Sequence, residues 1–131
     1  GWIASAVDLA RFAAALDLPE GSPLLKPESL KLMAAPPAPP VSRNAEGKLN
    51  PTYYGCGWMI RPVGQAGKSN QWHNGALTGT STMLVRRADG LSWAVLFNQR
   101  AQDMDKIDAA MHRAASGVTE WPSHNLFARF P

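Results

Sequence analysis

The sequence predicts an α+β fold: an antiparallel meander of three to four strands, with a C-terminal helix packed on it and short helices at the N-terminal side. Three observations predict it. Two helical segments come first, a pair of strand-like runs joined by Ala88-Asp89-Gly90 follows, and one more helical stripe comes after the strands. Helices and strands segregated in this way, rather than strictly alternating, build an antiparallel sheet with helices on its faces.

The first helix opens at Ser5-Ala6-Val7-Asp8, which has the form of a capping box: the Ser5 hydroxyl is available to an N3 amide, and Asp8 reaches back. Leu9, Phe12, Ala13 and Leu16 then repeat at helical spacing, giving a helix over about residues 6–16. Pro27, at a first helical position, opens a second short helix through Leu30, Met33 and Ala34, and Pro36-Pro37 stops it. Over residues 34–53 the chain carries five prolines and Asn44, Gly47 and Asn50, a composition that forms no regular element. A loop this long inside a domain is functional or mobile as a rule.

Residues 54–61 read as a strand weakened by Gly55 and Gly57, where another backbone or a ligand can approach. Residues 68–73 form a second candidate. Residues 80–87 and 91–98 form the clearest pair, because Asp89-Gly90 supplies the positive φ of a tight hairpin. Trp93 to Phe97 are apolar on both faces, which predicts cover on both sides. Met104, Ile107, Met111 and Ala114 supply that cover as one stripe of a helix over about residues 103–116, with Asp103 and Asp105 at its positive end and Gly117 as its stop. Residues 118–131 read as a tail without periodicity, so the domain spans residues 1–117.

Composition narrows the function. With 131 residues, 45% apolar and 18% charged, the chain suits one globular domain. The net charge of +3 comes from scattered residues, of which only Arg86 and Arg87 are adjacent, so no nucleic-acid footprint is formed. The single Cys56 excludes an internal disulfide and reads as a small strand residue. His73, His112 and His124 lack ligand spacing, and neither a metal nor another cofactor is expected. No apolar run approaches the length of a membrane span. No leader precedes Gly1 and the chain starts without Met, which suits a processed product or an excised fragment.

The segment Gln71-Trp72-His73-Asn74-Gly75-Ala76-Leu77-Thr78-Gly79-Thr80 carries the chemistry. A His-x-Gly step between a strand-like run and a tight turn is where a sheet edge offers a backbone N–H to a substrate carbonyl. No matching nucleophile accompanies it. The residues three before Lys26, Lys31, Lys48, Lys68 and Lys106 are Pro23, Glu28, Ala45, Gln65 and Asp103, so Ser-x-x-Lys is absent, and so is Tyr-x-Asn.

Four motifs in order give the chain a family likeness: Gly1-Trp2-Ile3-Ala4-Ser5-Ala6-Val7-Asp8-Leu9-Ala10-Arg11-Phe12, Leu24-Leu25-Lys26-Pro27-Glu28-Ser29-Leu30, Tyr54-Gly55-Cys56-Gly57-Trp58 and His73-Asn74-Gly75-Ala76-Leu77-Thr78-Gly79. The chain resembles the C-terminal part of the serine β-lactamase and penicillin-binding-protein-like hydrolases, in particular the class C-like branch with its esterases and D-alanyl-D-alanine peptidases. That resemblance implies the C-terminal portion of a β-lactamase-like fold. It also implies an extracytoplasmic setting, a small-molecule or peptidoglycan-like substrate, and an acyl-enzyme route to hydrolysis of an ester, amide or β-lactam. The family's Ser-x-x-Lys and Tyr-x-Asn motifs belong to an N-terminal half that this chain lacks, so the fragment alone is expected to be inactive.

Only the family's third motif transfers. His73 stands where the family has Lys or His, Asn74 where it often has Ser or Thr, and Gly75 where a small residue lets substrate lie against the strand. Ala76 presents the oxyanion N–H. His73 and Ala76 are thus the catalytic candidates, Asn74, Gly75 and Trp72 the substrate-binding ones, with Trp72 as a wall of the cleft. A lysine suits carboxylate-bearing substrates at neutral pH; an imidazole, with an ordinary pKa of about 6.5, is mostly neutral there, which favours an esterase or peptidase over an efficient β-lactamase. Tyr53, Tyr54 and Asn98 read as packing and turn residues. The competing expectation is a non-catalytic binding or scaffold protein that kept the fold and lost the chemistry. A half-domain should also leave a strand edge and an apolar face open to the missing half or to a second copy.

Overall fold

A computed structural model describes residues 3–18, 20–64 and 67–128, which leaves Gly1 and Trp2 of the first motif and the last three residues of the tail outside the described residues. Helix α1 is Ala6–Ala15 and helix α2 is Pro27–Met33. Strands β1 (Tyr53–Tyr54), β2 (Met59–Pro62), β3 (Ser69–Leu77), β4 (Thr80–Arg86) and β5 (Ser92–Phe97) follow, then helix α3 (Met104–Ser116) and a short 3₁₀ turn, Leu126–Ala128. The strands form one antiparallel sheet in the order β1-β2-β3-β4-β5.

Local chemistry set the helix starts as expected. Asp8 N–H donates to the Ser5 hydroxyl (3.2 Å) while Ser5 N–H donates to the Asp8 carboxylate (2.8 Å), so both halves of the capping box are made. Pro27 occupies the first turn of α2, and Asp103 caps α3 by accepting from Lys106 N–H at 3.1 Å.

The meander has five strands rather than three or four, because residues 54–61 are not one strand. They fold into the β1-β2 hairpin, with Tyr53 opposite Ile60 and Tyr54 opposite Met59. Gly55-Cys56-Gly57-Trp58 is the turn, so Cys56 is an exposed turn residue and not a strand residue. Gly57 has φ +82°, a conformation that closes the turn and that L side chains rarely adopt. A Cβ on Gly55 would lie 2.6 Å from the Met33 carbonyl oxygen, the same oxygen that accepts from Cys56 N–H at 3.0 Å. The hairpin turn is thereby seated on the end of α2.

The sheet lies between two helical layers. Leu16, at the end of α1, packs with Tyr53, Trp58 and Ile60, joined by Leu30, Met33 and Leu84. Met83, Val85 and Trp93 face the other way and pack with Trp72, Val95, Met104, Met111 and Ala115. The alternation of Met83, Leu84 and Val85 between the two clusters is the pleat of β4 read directly. Ala13 is fully buried, and this small side chain lets α1 approach β4 and β5 closely. Cover on both faces holds for the start of β5; at its end Leu96 and Phe97 are exposed.

Arg86, on the α1 side, ties the layers together. Its guanidinium makes a two-point bond to Asp17 (2.6 and 3.0 Å), donates to Gln71 (2.9 Å) and lies over the Trp58 ring. Residues after α3 are not all loose tail: Phe127 lies under the Arg11 guanidinium, and its carbonyl accepts from Arg11 Nη2 at 3.0 Å.

Candidate functional site

β3 has two regimes along its length. From Ser69 to Trp72 it pairs with β2 on one side, through Pro62↔Ser69, Arg61↔Asn70, Ile60↔Gln71 and Met59↔Trp72. From Gln71 to Leu77 it pairs with β4 on the other, ending at Leu77↔Thr80. Residues His73, Asn74, Gly75, Ala76 and Leu77 therefore have a ladder partner on one side only among the described residues. The β2 side of that stretch is an open backbone edge.

The direction of the backbone groups along this edge follows from the hairpin. Leu77 and Thr80 face each other across the two-residue turn Thr78-Gly79, and only a pair that exchanges both N–H···O bonds fits there. Such pairs alternate in an antiparallel ladder, so Gly75 and His73 bond to β4 while Ala76 and Asn74 turn their N–H and C=O groups away from it. At Trp72, next in the alternation, β2 takes up the outward groups through Met59. The N–H of Ala76 thus points out of the sheet at the open edge.

Side chains alternate independently of this. His73 and Gly75 are opposite Leu84 and Thr82, on the α1 side of the sheet. A Cβ on Gly75 would lie 2.8 Å from the Thr82 hydroxyl, which would have to turn away to admit a side chain. Asn74 and Ala76 lie on the α3 side, opposite Met83 and Ser81, both exposed where the helix no longer covers the strand. Trp72 also lies on the α3 side. It packs into the Met83, Val85 and Trp93 cluster with the Arg61 guanidinium 5.0 Å from its ring centre, so it does not stand beside His73 as a cleft wall. Adjacent strand residues point to opposite faces, and that separates the two.

The nearest polar neighbour of His73 is one that sequence reasoning assigned to packing. Tyr54 places its hydroxyl 3.0 Å from His73 Nε2, with the rings edge to face at 6.0 Å. Both residues are exposed. A groove of about 650 Å³ opens nearby on the α1 and α2 side, lined by Leu16, Leu30, Ala34, Tyr53, Gln71 and Arg86 among others, and His73 does not line it. The His73 edge is one wall of a site rather than an enclosed pocket. No group of three or more metal-ligating side chains occurs among the described residues.

The open edge of β3 thus carries an outward N–H at Ala76, a side-chain-free Gly75 and, two residues before Gly75, the exposed imidazole of His73. The beta-lactamase family model matches residues 1–117, which includes every element from α1 to α3. The chain belongs to the beta-lactamase family. Membership carries a hydrolase-type fold, and the match ends just after α3. Neither a curated protein nor a solved structure matches this chain.

Proposed function

We propose that this chain forms one wall of the cleft of a serine hydrolase that works through an acyl-enzyme on an ester, an amide or a β-lactam. In this reading β3 is the strand along which substrate lies, Ala76 N–H is one oxyanion donor, and His73 orients the substrate beside the reacting centre. Gly75 and Asn74 line the substrate's path, and Trp72 holds the strand from behind. The nucleophile comes from a segment of the same protein bearing Ser-x-x-Lys and Tyr-x-Asn, since neither motif occurs in these 131 residues. β5 ends the described sheet order, so its outer edge is where strands of that segment would add.

The observation that carries the reading is the open edge of β3 beyond Trp72, with the Ala76 N–H directed into it. A preorganised donor aimed at a developing oxyanion contributes about 3 kcal/mol in a site that excludes water. His73 favours substrates that do not rely on a fixed positive charge to hold a carboxylate.

The test is steady-state kinetics on this chain assembled with the segment that carries Ser-x-x-Lys. His73→Ala should lower kcat by about 100-fold, the loss expected when a positioning contact is removed, without abolishing acylation, and His73→Lys should retain activity and shift preference toward carboxylate-bearing substrates. Kinetic constants unchanged in His73→Ala would return His73 to an ordinary surface residue. An upstream segment without Ser-x-x-Lys would favour a binding protein that kept the fold.

A further inference from the structure

Two adjacent tyrosines on β1 do different things. Tyr53 is buried and donates to the Ala34 carbonyl at 2.9 Å, and its burial pushes the phenol pKa up. Tyr54 is about half exposed, at 48%, and brings its hydroxyl to His73 Nε2, nineteen residues further along the chain. The backbone that carries Tyr54 is fixed on three sides. Tyr53 anchors it to the end of α2, Gly55 N–H donates to the Trp58 carbonyl at 2.8 Å, and Cys56 N–H donates to the Met33 carbonyl at 3.0 Å. The phenol reaches His73 from a pinned hairpin, and not from a free surface loop.

We propose that Tyr54 is a positioning residue that holds His73 as the neutral tautomer with its proton on Nδ1. This rests on the hydrolase reading and assigns the chemical form in which His73 meets a substrate. A phenol O–H is a stronger donor than a neutral imidazole N–H, and the bare imidazole nitrogen is a stronger acceptor than a phenol oxygen. Between two neutral partners the bond therefore runs from Tyr54 O–H to Nε2. The ring proton is left on Nδ1, and the second nitrogen of the ring sets which role the first can take. His73 then offers substrate one oriented N–H donor. Nε2, occupied by the phenol, takes no proton from a nucleophile.

The experiment is long-range ¹H–¹⁵N correlation spectroscopy of the imidazole of His73 in the 131-residue chain, above the pH at which the ring is protonated, with Tyr54→Phe beside it. The expected result is Nδ1–H as the main tautomer in the unsubstituted chain and a shift toward Nε2–H, the form a free imidazole prefers, in Tyr54→Phe. Nε2–H as the main tautomer of the unsubstituted chain would overturn the proposal, whether or not the variant folds. An unchanged tautomer in a folded Tyr54→Phe would overturn it as well. Both readings are made without substrate. Failure of acyl transfer in the assembled protein therefore counts against the hydrolase reading, and the tautomer decides the role of Tyr54.

Discussion

Met59 and Trp72 are the last residues through which β2 and β3 pair, and the edge proposed to meet substrate is the five residues of β3 beyond that rung. Had β2 continued, its backbone would occupy the groups that Ala76 and Asn74 turn outward. The hairpin turn at Gly55-Cys56-Gly57-Trp58 is what ends β2 there, because the chain must reverse into β1 and dock on α2.

Proline substitution separates the two sides of β3. Ala76→Pro removes an N–H that faces the open edge, where proline is tolerated, so the stability of the chain should change by about 1 kcal/mol or less. Gly75→Pro removes an N–H bonded to β4 and also sets a Cβ 2.8 Å from the Thr82 hydroxyl, so it should cost more, about 2 kcal/mol or above, with Gly75→Ala measuring the share due to the Cβ. Urea denaturation of the two variants checks the alternation. Equal losses would mean that the outward direction assigned to Ala76 N–H is wrong.

Gly55→Ala should be among the most damaging small changes in the chain. The added Cβ meets backbone oxygen at 2.6 Å and Ile60 side-chain carbon at 3.2 Å, and neither can yield without moving α2 or β2. A loss of about 2 kcal/mol is expected, in the range of overpacked cores, together with a changed His73 ring resonance as Tyr54 moves. Thermal unfolding and the His73 chemical shift report the two effects. Gly64→Ala, with open space at its Cβ, is the control.

How much of this was legible in the sequence follows how local each cause is. The capping box at Ser5 and Asp8 and the Pro27 start of α2 are bonds within one helical turn, and the residues alone predict them. The β4-β5 hairpin announces itself through Asp89-Gly90. The β1-β2 hairpin does not, because its turn depends on Met33, more than twenty residues earlier, as well as on the positive φ of Gly57. At the candidate site the His73 to Ala76 motif was legible as a string. The opposite orientation of Trp72 was also available from strand alternation alone. The Tyr54 to His73 bond has no local signal, since it joins strands separated by β2.

Asp17→Ala leaves Arg86 buried, 6% exposed, with Gln71 and the Trp58 ring but no carboxylate. Because Asp17 itself is partly exposed, the loss should be about 2 kcal/mol, below that of a fully buried pair broken on one side. The double variant Asp17→Ala with Arg86→Met should recover part of it. Urea midpoints of the three variants provide the measurement, and an additive double variant would contradict the pairing.

The first helix should carry an acid-sensitive start. The backbone and side chain of Ser5, with Arg11 nearby, hold the Asp8 carboxyl below its ordinary value of 3.8. A depressed folded pKa means that the contribution is complete above the unfolded value and is lost as pH falls through the folded one. Asp8→Asn should therefore be less stable than the unsubstituted chain at neutral pH, and the difference should shrink at pH values below that folded pKa. Circular dichroism melts across the acid range follow it. A difference that stays constant through the acid range would contradict the capping role of the carboxylate.

Covalent labelling tests the central claim most directly. The 131-residue chain, alone and then assembled with the segment that carries Ser-x-x-Lys, is incubated with a fluorophosphonate probe or a labelled penicillin, and the adduct is located by peptide mass spectrometry. The account predicts no stoichiometric adduct on any serine of this chain alone. In the assembled protein it predicts one adduct on the serine of Ser-x-x-Lys, formed about 100-fold more slowly when Ala76→Pro removes the oxyanion donor. Stoichiometric labelling of a serine within these residues, or an adduct whose rate is indifferent to Ala76→Pro, would contradict it.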